Sequence, residues 1–541
     1  MALPVSPLRS SGGTAGWDSR PGDARDPDVP LKIYNTMSQG VEPFDPVVPG
    51  EARIYACGPT VYDRAHIGHA RAALTFDVVW RYLEYRGYKV SYVRNFTDVD
   101  DKIILRAAEL GRPWDTLAEE QIEWYRRDMQ ALGLRTPTHE PRATEHIAEM
   151  IAIIDILTEK GYAYRVDGDV YFEVRRCADY GKLSHRDLEE LRAGARVEVD
   201  PRKRDPLDFA LWKASKPGEP AWDSPWGGGR PGWHIECSAM SMKYLGETFD
   251  IHGGGADLIF PHHENEIAQS ESATGKPFAR YWLHNGFVNI HAEKMSKSLG
   301  NVLAIGDLLG HITPGALKMF LLGTHYRAPL DFSPDAIIGA GRAEDRLLNA
   351  VSEARHWQGA VPPTPRAAAA ECSLHDQIRH AEQQFIEAMD DDFNTPRALA
   401  ALFGLVRDVN LALRQAERAR DHGRVGALSL AGETLKKLGW VLGGLLDDAP
   451  ERFSYAGTEP DTRVLAWDEC AEAQKAVLEA IEGERSLPKH AVDLIVAYRR
   501  QCRDEKDWAT ADAIRDWLAD HGVFVDDTPA GARWRLESSG R

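Results

Sequence analysis

The sequence predicts an α/β fold: a parallel nucleotide-binding sheet, then helical segments, then a small mixed unit. Three observations carry this. The apolar run Ile54-Tyr55-Ala56 stops at Cys57 and the turn pair Gly58-Pro59; Ala70, Leu74, Val78 and Leu83 then recur near the helical period as far as Gly87, and Tyr88 to Arg94 reads as a second strand. A further strand-like run, Phe249 to His252, ends in Gly253-Gly254-Gly255. From about Pro314 to Trp440 the pattern is mostly helical.

Length and composition bound the rest. The 541 residues leave room for several domains; 43% hydrophobic and 27% charged residues describe a soluble globular chain. No run approaches the ~20 apolar residues that span a bilayer. A net charge of −18 argues against a generally basic nucleic-acid binder, so RNA contact falls to local patches such as Arg499, Arg500 and Arg503. Six scattered cysteines without a CxxC pair fit a reducing, cytoplasmic setting better than a disulfide framework. Residues 1–30, rich in Gly, Pro, Ser, Asp and Arg and lacking an apolar segment, read as a disordered extension and not a secretory signal.

In chain order, Thr97 is expected to cap the helix after Asn95-Phe96, with Asp100 at the capping-box position and Gly111 closing it. Helices are expected from about Trp114 to Leu132 and Arg142 to Gly161, then a hairpin around Asp167-Gly168-Asp169. Residues 176–232 are polar and aperiodic, and the sheet is expected to resume at Trp233-His234-Ile235-Glu236-Cys237. An Ala/Pro-rich joint is expected near 361–370, a new helix after the acidic run Asp390-Asp391-Asp392, a linker over 447–460, two helices over 490–518 and a terminal hairpin.

Chemistry concentrates in four stretches. His66-Ile67-Gly68-His69 opens a helix, whose start offers free N–H groups and positive dipole to an anion, with two imidazoles able to reach one phosphate. Lys294-Met295-Ser296-Lys297-Ser298 is a basic loop far downstream. Gly253-Gly254-Gly255 with Asp257 allows close backbone approach to a ligand, and the acid can bind a ribose or an ammonium group. In Pro261-His262-His263-Glu264-Asn265-Glu266, His262 and Glu266 are i and i+4 and share a helix face; with Cys57 and Cys237 they make a four-ligand zinc set, although either histidine can serve.

The paired signatures HIGH and KMSKS resemble those of class I aminoacyl-tRNA synthetases. CGPTVYDRAHIGHAR, GWHIECSAM, FDIHGGGADLIFPHHENEIAQSE, KMSKSLGN and DDDFNTP together resemble the cysteinyl-tRNA synthetase family from about Leu31 onward. The resemblance implies a Rossmann-type catalytic domain over 31–335, with a connective-peptide insertion at about 140–232 and the signature loop and stem-contact region at about 290–335. It further implies a tRNA-binding helical bundle over 336–445, a linker region over 446–485 and an anticodon-binding domain over 486–541. The activity implied is ATP-dependent formation of cysteinyl-adenylate, with Mg²⁺ accompanying ATP, and transfer of cysteine to tRNA(Cys) by a monomer.

The same resemblance assigns catalysis to His66, His69, Lys294 and Lys297, and zinc to Cys57, Cys237, His262 and Glu266. ATP contacts fall on Gly58, His66, Gly68, His69, Gly254, Asp257 and Lys297; amino-acid contacts fall on Thr60, Thr97, Trp233 and His252. Anticodon contacts fall on Arg503, Trp508, Asp512 and Asp527. Some relatives carry a pyridoxal-phosphate-dependent side activity on a KIIK stretch; here it reads Lys102-Ile103-Ile104-Leu105, and that cofactor is not expected. Two other readings fit less: a ligase joining cysteine to a small amine has no use for the roughly 200 residues after the basic loop, and a non-catalytic RNA-binding paralogue has no reason to keep both signatures.

Overall fold

The computed structural model describes residues 30–187, 200–290, 293–294, 303–356, 365–419, 425–447, 454–455, 467–482, 489–528 and 531–536. The expected extension over 1–30, apart from its last residue, the first four residues of the 361–370 joint and Lys297 lie outside them.

An N-terminal hairpin, β1 (Lys32–Asn35) and β2 (Gly40–Pro43), precedes the central unit β3 (Glu51–Ala56), α1 (Ile67–Tyr85) and β4 (Lys89–Arg94). Ala52, Ile54, Tyr55 and Ala56 are all buried, as expected of a parallel strand covered on both faces. Helix α2 (Asp101–Leu110) is capped by Asp100, whose carboxylate accepts from Lys102 N–H, and ends at left-handed Gly111. Thr97, the expected cap, instead donates its hydroxyl to Glu236 Oε2 at 2.7 Å. Next come α3 (Trp114–Ala131) and α4 (Ile147–Glu159).

The insertion is an antiparallel sheet of β5 (Ala163–Val166), β6 (Asp169–Phe172), β7 (Phe209–Ala214) and β8 (Gly229–Pro231), so the aperiodic stretch supplies two of its strands. Residues 233–237 do not resume the main sheet. They open α5 (Trp233–Leu245), in which every residue from His234 to Ser241 is buried. A helix packed on all sides shows no polar stripe, so a short run of it is indistinguishable from a buried strand.

The sheet resumes with β9 (Phe249–Gly255), followed by an irregular turn, α6 (Glu264–Thr274) and β10 (Ala279–Asn285). All four central strands run parallel in the order β10-β9-β3-β4. The chain leaves β3 to one side through α1 and returns on the other at β9, so the crevice beyond the ends of β3 and β9 is the topological switch point, where open α/β sheets bind ligands.

Short strands β11 (Val288–Ile290), β12 (Glu293–Lys294) and β13 (Leu330–Phe332) flank α7 (Ile305–Leu309) and α8 (Pro314–Leu322). The bundle is α9 (Pro334–His356), α10 (Pro365–Asp390), α11 (Thr395–Ala419) and α12 (Val425–Val441), so the described part of the expected joint, from Pro365, is already helical. It docks on α1: Tyr82 Oη donates to Asp390 Oδ1 at 2.6 Å and Arg86 pairs with the same carboxylate. The expected linker contains β14 (Ser454–Tyr455) and, beyond 460, α13 (Trp467–Glu482). Helix α13 packs with α14 (Lys489–Asp504) and α15 (Trp508–Asp520), and β14 joins the hairpin of β15 (Val523–Thr528) and β16 (Gly531–Leu536) in one sheet. This last unit has its own core around Val492, Ile495, Val496, Ile514 and Leu518. Among the described residues no helix is long and apolar enough to cross a membrane.

Candidate active site

A cavity of about 340 Å³ occupies the switch point, lined among others by Cys57, Gly58, Thr60, His66, Gly68, His69, Trp233, Gly255 and Asp257. Gly58 stands there because nothing larger fits: a Cβ would lie 1.6 Å from Asn95 O. Its N–H donates to Asn95 Oδ1 at 2.9 Å, which locks the turn after β3 onto the end of β4.

His66 is the N-cap of α1, and the two histidines close a reciprocal capping box. His66 Nδ1 accepts from Gly68 N–H and His69 Nδ1 accepts from His66 N–H, each at 3.2 Å, with the rings stacked 3.9 Å apart. A ring nitrogen that accepts carries no proton, so each neutral imidazole holds its proton on Nε2, as a donor. The stretch after the basic loop is tied to the same turn: Ile67 N–H donates to Leu303 O and Ile305 N–H to Ala65 O, both at 3.0 Å. Lys294 lies on β12, where its backbone pairs with Asn289.

Behind Cys57 the expected metal donors meet. The ligand atoms of Cys57, Cys237, His262 and Glu266 all lie within 4.8 Å of one another. Cys57 Sγ is 3.7 Å from Cys237 Sγ and 3.5 Å from Glu266 Oε1, and His262 Nε2 is 3.0 Å from Glu266 Oε1. Cys57, His252, His263 and Glu266 form a second group satisfying the same limit. The first offers two soft thiolates, an imidazole and one carboxylate, a set suited to zinc. Its electrostatics suit a cation. Burial, then the neighbouring Cys237, pushes the Cys57 thiol up. Burial also opposes ionisation of Cys237, but hydrogen bonds from Cys57 and His262 bring its thiol down to about 6. Burial opposes a charged His262 as well, yet Glu266 and Cys237 raise it to about 10. A divalent ion held there would take the place of the protons on Cys57 and His262.

Further histidines form a shell around these donors, and two of them, His234 and His284, were not among the expected site residues. His252, expected at the amino acid, is fully buried behind the cluster: its Nε2 pairs with Glu266 Oε2 at 2.7 Å and its ring stacks on Trp282. His234 Nδ1 lies 2.9 Å from His262 Nδ1. His263 Nε2 lies 3.3 Å from Cys57 Sγ, and its Nδ1 lies 2.8 Å from His284 Nε2. Hydrogen bonds of this kind to the ligands themselves fix ligand tautomer and orientation. Their signal was only a high local histidine density; the contacts are tertiary.

The remaining expected residues divide. Trp233 stacks on His262 with ring centres 4.1 Å apart, joining cavity wall to metal donor. Thr60 bridges Thr97 through the backbone, and the Thr97 side chain is buried. Gly254 gives close approach to the protein itself, since a Cβ would meet Leu258 Cδ1 at 2.7 Å. In the C-terminal unit, Asp527 accepts a bidentate pair from Arg499 at 2.7 and 2.8 Å and also pairs with Arg503. The Arg503 guanidinium sits 5.5 Å from the Trp508 ring centre, and Trp508 is 55% exposed. Asp512 pairs with Arg515 at 3.0 Å.

A switch-point cavity with two histidines capping a helix is the arrangement expected of a class I aminoacyl-tRNA synthetase. The model of the class I (C) tRNA synthetase catalytic domain matches residues 43–342, a DALR domain matches 384–446, and the cysteinyl-tRNA ligase anticodon binding domain matches 485–535. The chain is 50% identical to a cysteine--tRNA ligase of Geobacter sulfurreducens, over 94% of this chain and 100% of that protein. It is likewise 50% identical to the Alkalilimnicola ehrlichii enzyme, with the same coverage. The chain belongs to the cysteine--tRNA ligase family. Methionyl-tRNA synthetase of Mycobacterium tuberculosis shares the fold, with a TM-score of 0.56 at 17% identity over 74% of this chain and 92% of that one.

Proposed function

We propose that the chain activates L-cysteine with ATP and transfers it to tRNA(Cys), choosing cysteine through a Zn²⁺ held by Cys57, Cys237, His262 and Glu266. The observation that carries this reading is the convergence of those four donors behind Cys57, which lines the same cavity as His66 and His69.

A bound Zn²⁺ supplies a soft Lewis acid that takes a thiol in its deprotonated form at neutral pH and gives a hydroxyl or methyl nothing comparable. Selection by about 10⁴–10⁵ requires roughly 5.5–7 kcal/mol. A difference in cavity size gives only about 1–3 kcal/mol.

The chain's own residues position the reactants. Trp233 closes the amino-acid end over His262, and Asp257 faces the cavity as an acceptor for a ribose hydroxyl or the substrate ammonium. The Nε2–H groups of His66 and His69 and the start of α1 meet the phosphates as the cysteine carboxylate attacks the α-phosphate and pyrophosphate leaves. Lys294 and Lys297 hold the triphosphate, with Mg²⁺ accompanying ATP. No protein nucleophile is needed; positioning and charge stabilisation suffice. Thr97 and His252 act from behind, through Glu236 and Glu266. At the far end, Arg503, Trp508, Asp512 and Asp527 read the anticodon, with Arg499 holding Asp527 in place.

The described cysteines 57, 177, 237, 470 and 502 all carry free thiols, which suits a reducing cytoplasm, and the proposed working unit is a monomer. The test is aminoacylation of tRNA(Cys) with cysteine and serine. Cysteine-dependent charging with serine at least about 10⁴-fold poorer is expected; comparable charging of serine overturns the metal-based selection.

A further inference from the structure

The cavity lining has two chemically different sides. The turns after β9 and β10 contribute mostly small and apolar residues, whereas Tyr62, Arg64, Arg94, Lys102 and Tyr125 come from the loop before α1, the end of β4, α2 and α3. Three cations therefore gather on one side of a cavity in a chain of net charge −18, with Asp63 as the acid beside them.

Arg94 is the most telling. Its side chain is 7% exposed, and Nη2 donates to Glu140 at 2.7 Å while Arg126 shares that carboxylate at 3.2 Å. Arg126 is held by Glu123 as well, at 3.4 Å, so the ion pairs here are satisfied and what remains open is a hydrogen-bond donor. Arg94 Nε has no hydrogen-bond partner, and neither has Tyr92 Oη, two residues back on the same face of β4 and also lining the cavity. Buried donors left unsatisfied are rare and point to a ligand. Lys102 is exposed, forms no ion pair among the described residues, and holds Nζ 5.7 Å from the Tyr62 ring centre. Arg64 lies 4.0 Å over Trp124 and pairs with Asp128 at 3.6 Å, so Lys102 carries the free charge of this side.

Cations interleaved with aromatic rings are the signature of single-stranded nucleic acid, phosphates on the charges and bases on the rings. In the reaction proposed above the triphosphate goes to the start of α1 and the basic loop, and the thiol end of cysteine goes to the metal donors. The reactant left over is the RNA terminus. We propose that Tyr62, Arg64, Arg94 and Lys102 receive the 3′-terminal unpaired nucleotides of the tRNA and bring the terminal ribose to the adenylate. This rests on the aminoacylation reading.

The test uses the full chain and two fluorescent RNAs: a short acceptor stem ending in its unpaired nucleotides, and the same stem with them removed. Fluorescence anisotropy at several salt concentrations reads the affinity. Wild type binds the full RNA more tightly than the truncated one. Lys102→Ala, a solvent-facing change that does not disturb the core, weakens the full RNA about 3–10-fold, spares the truncated RNA, and lowers the log–log salt slope by about 0.7, the loss of one single-strand phosphate contact. Equal weakening of both RNAs, or of neither, overturns the proposal. So does loss of cysteine-dependent pyrophosphate exchange in parallel with charging, which assigns this side to ATP. Failure of the wild type to exchange pyrophosphate with cysteine sinks the aminoacylation reading instead, whatever the RNAs do.

Discussion

The metal end of the cavity and the anticodon-reading end of the chain both hold charged side chains in contact, but they hold them by opposite means. Cys237, His262 and Glu266 are buried to within 1%, and each is fixed by neighbours that are themselves buried. Asp527 and Arg503 are 38% and 34% exposed, and they pair with each other. At the buried end every charge must find its partner within the protein or on an ion, because removing one leaves a neighbour uncompensated in low dielectric. At the exposed end water substitutes for a missing partner in the Asp527–Arg503 pair, so that pair is worth little to the fold and, on the reading proposed above, opens onto a base while the buried Arg499 keeps hold of Asp527. Chemistry is held rigid; reading is left exchangeable.

The sharpest way to break this contrast is Cys237→Ala. One zinc per chain in the wild type and almost none in the variant is expected, with cysteine-dependent pyrophosphate exchange reduced by about 10³ or more, beyond the loss of one stabilising donor. Retained metal and retained preference for cysteine over serine would place the ion elsewhere. Lys297→Ala is expected to slow adenylate formation by about 10²–10³ while leaving cysteine binding, measured directly, nearly unchanged; normal exchange would remove Lys297 from the site.

His252→Ala tests depth. As a support for Glu266 it is expected to weaken zinc affinity by about 10–100-fold in chelator competition without abolishing it. If it abolishes binding while Cys237→Ala spares it, the second donor group, with His252 and His263, is the true one. At the other end, Arg503→Ala, which leaves the buried Arg499–Asp527 pair in place, is expected to raise the tRNA KM about tenfold, the size of a lost base contact, and leave pyrophosphate exchange unaltered; loss of charging and exchange together would mean that the exposed pair supports the fold after all.

The smallest effect concerns pH. Asp101 joins α2 to the insertion through Lys213 at 2.6 Å and through Arg230. Partial burial opposes its charge, but the Lys213 and Arg230 bonds outweigh it and lower its carboxyl below the usual value. A lowered carboxylate stabilises the fold above about pH 4, its unfolded value, and loses that contribution as pH falls through its lower folded value. Asp101→Asn is expected to flatten the acid-unfolding curve slightly in that window, followed by circular dichroism. A large shift would show that this exposed pair behaves like the buried ones.

What could be read in advance follows the same division. The parallel unit 51–94 was visible because α1 carries a long apolar period and ends cleanly. The four donors stood out by type, and the structure brings them together. Helix α5 was misread as a strand because it is buried all round, and α13 was passed over because the stretch around it looked like connecting chain. The capping error at Thr97 arose because two candidate caps lay three residues apart, and the contact that decided between them, to Glu236, comes from a residue far along the chain. Histidines 234 and 284 and Arg94 went unrecognised for one reason: each acquires its partner only when β4, α5, α6 and β10 converge. Local pattern carries element type; it does not carry neighbours 21 or more residues away.

Helix α1 ends in unlike company, with His66 and His69 at the cavity and Tyr82 and Arg86 on Asp390 of the bundle. Its 19 residues make a rod about 28 Å long at 1.5 Å per residue. A rod works as a lever. A tilt of about 2° at the bundle displaces the far end by about 1 Å, an error of the size that costs about 100-fold when it falls on reacting groups. The helical bundle, through its hold on Tyr82 and Arg86, therefore bears on the aim of the two imidazoles at the other end of the same beam.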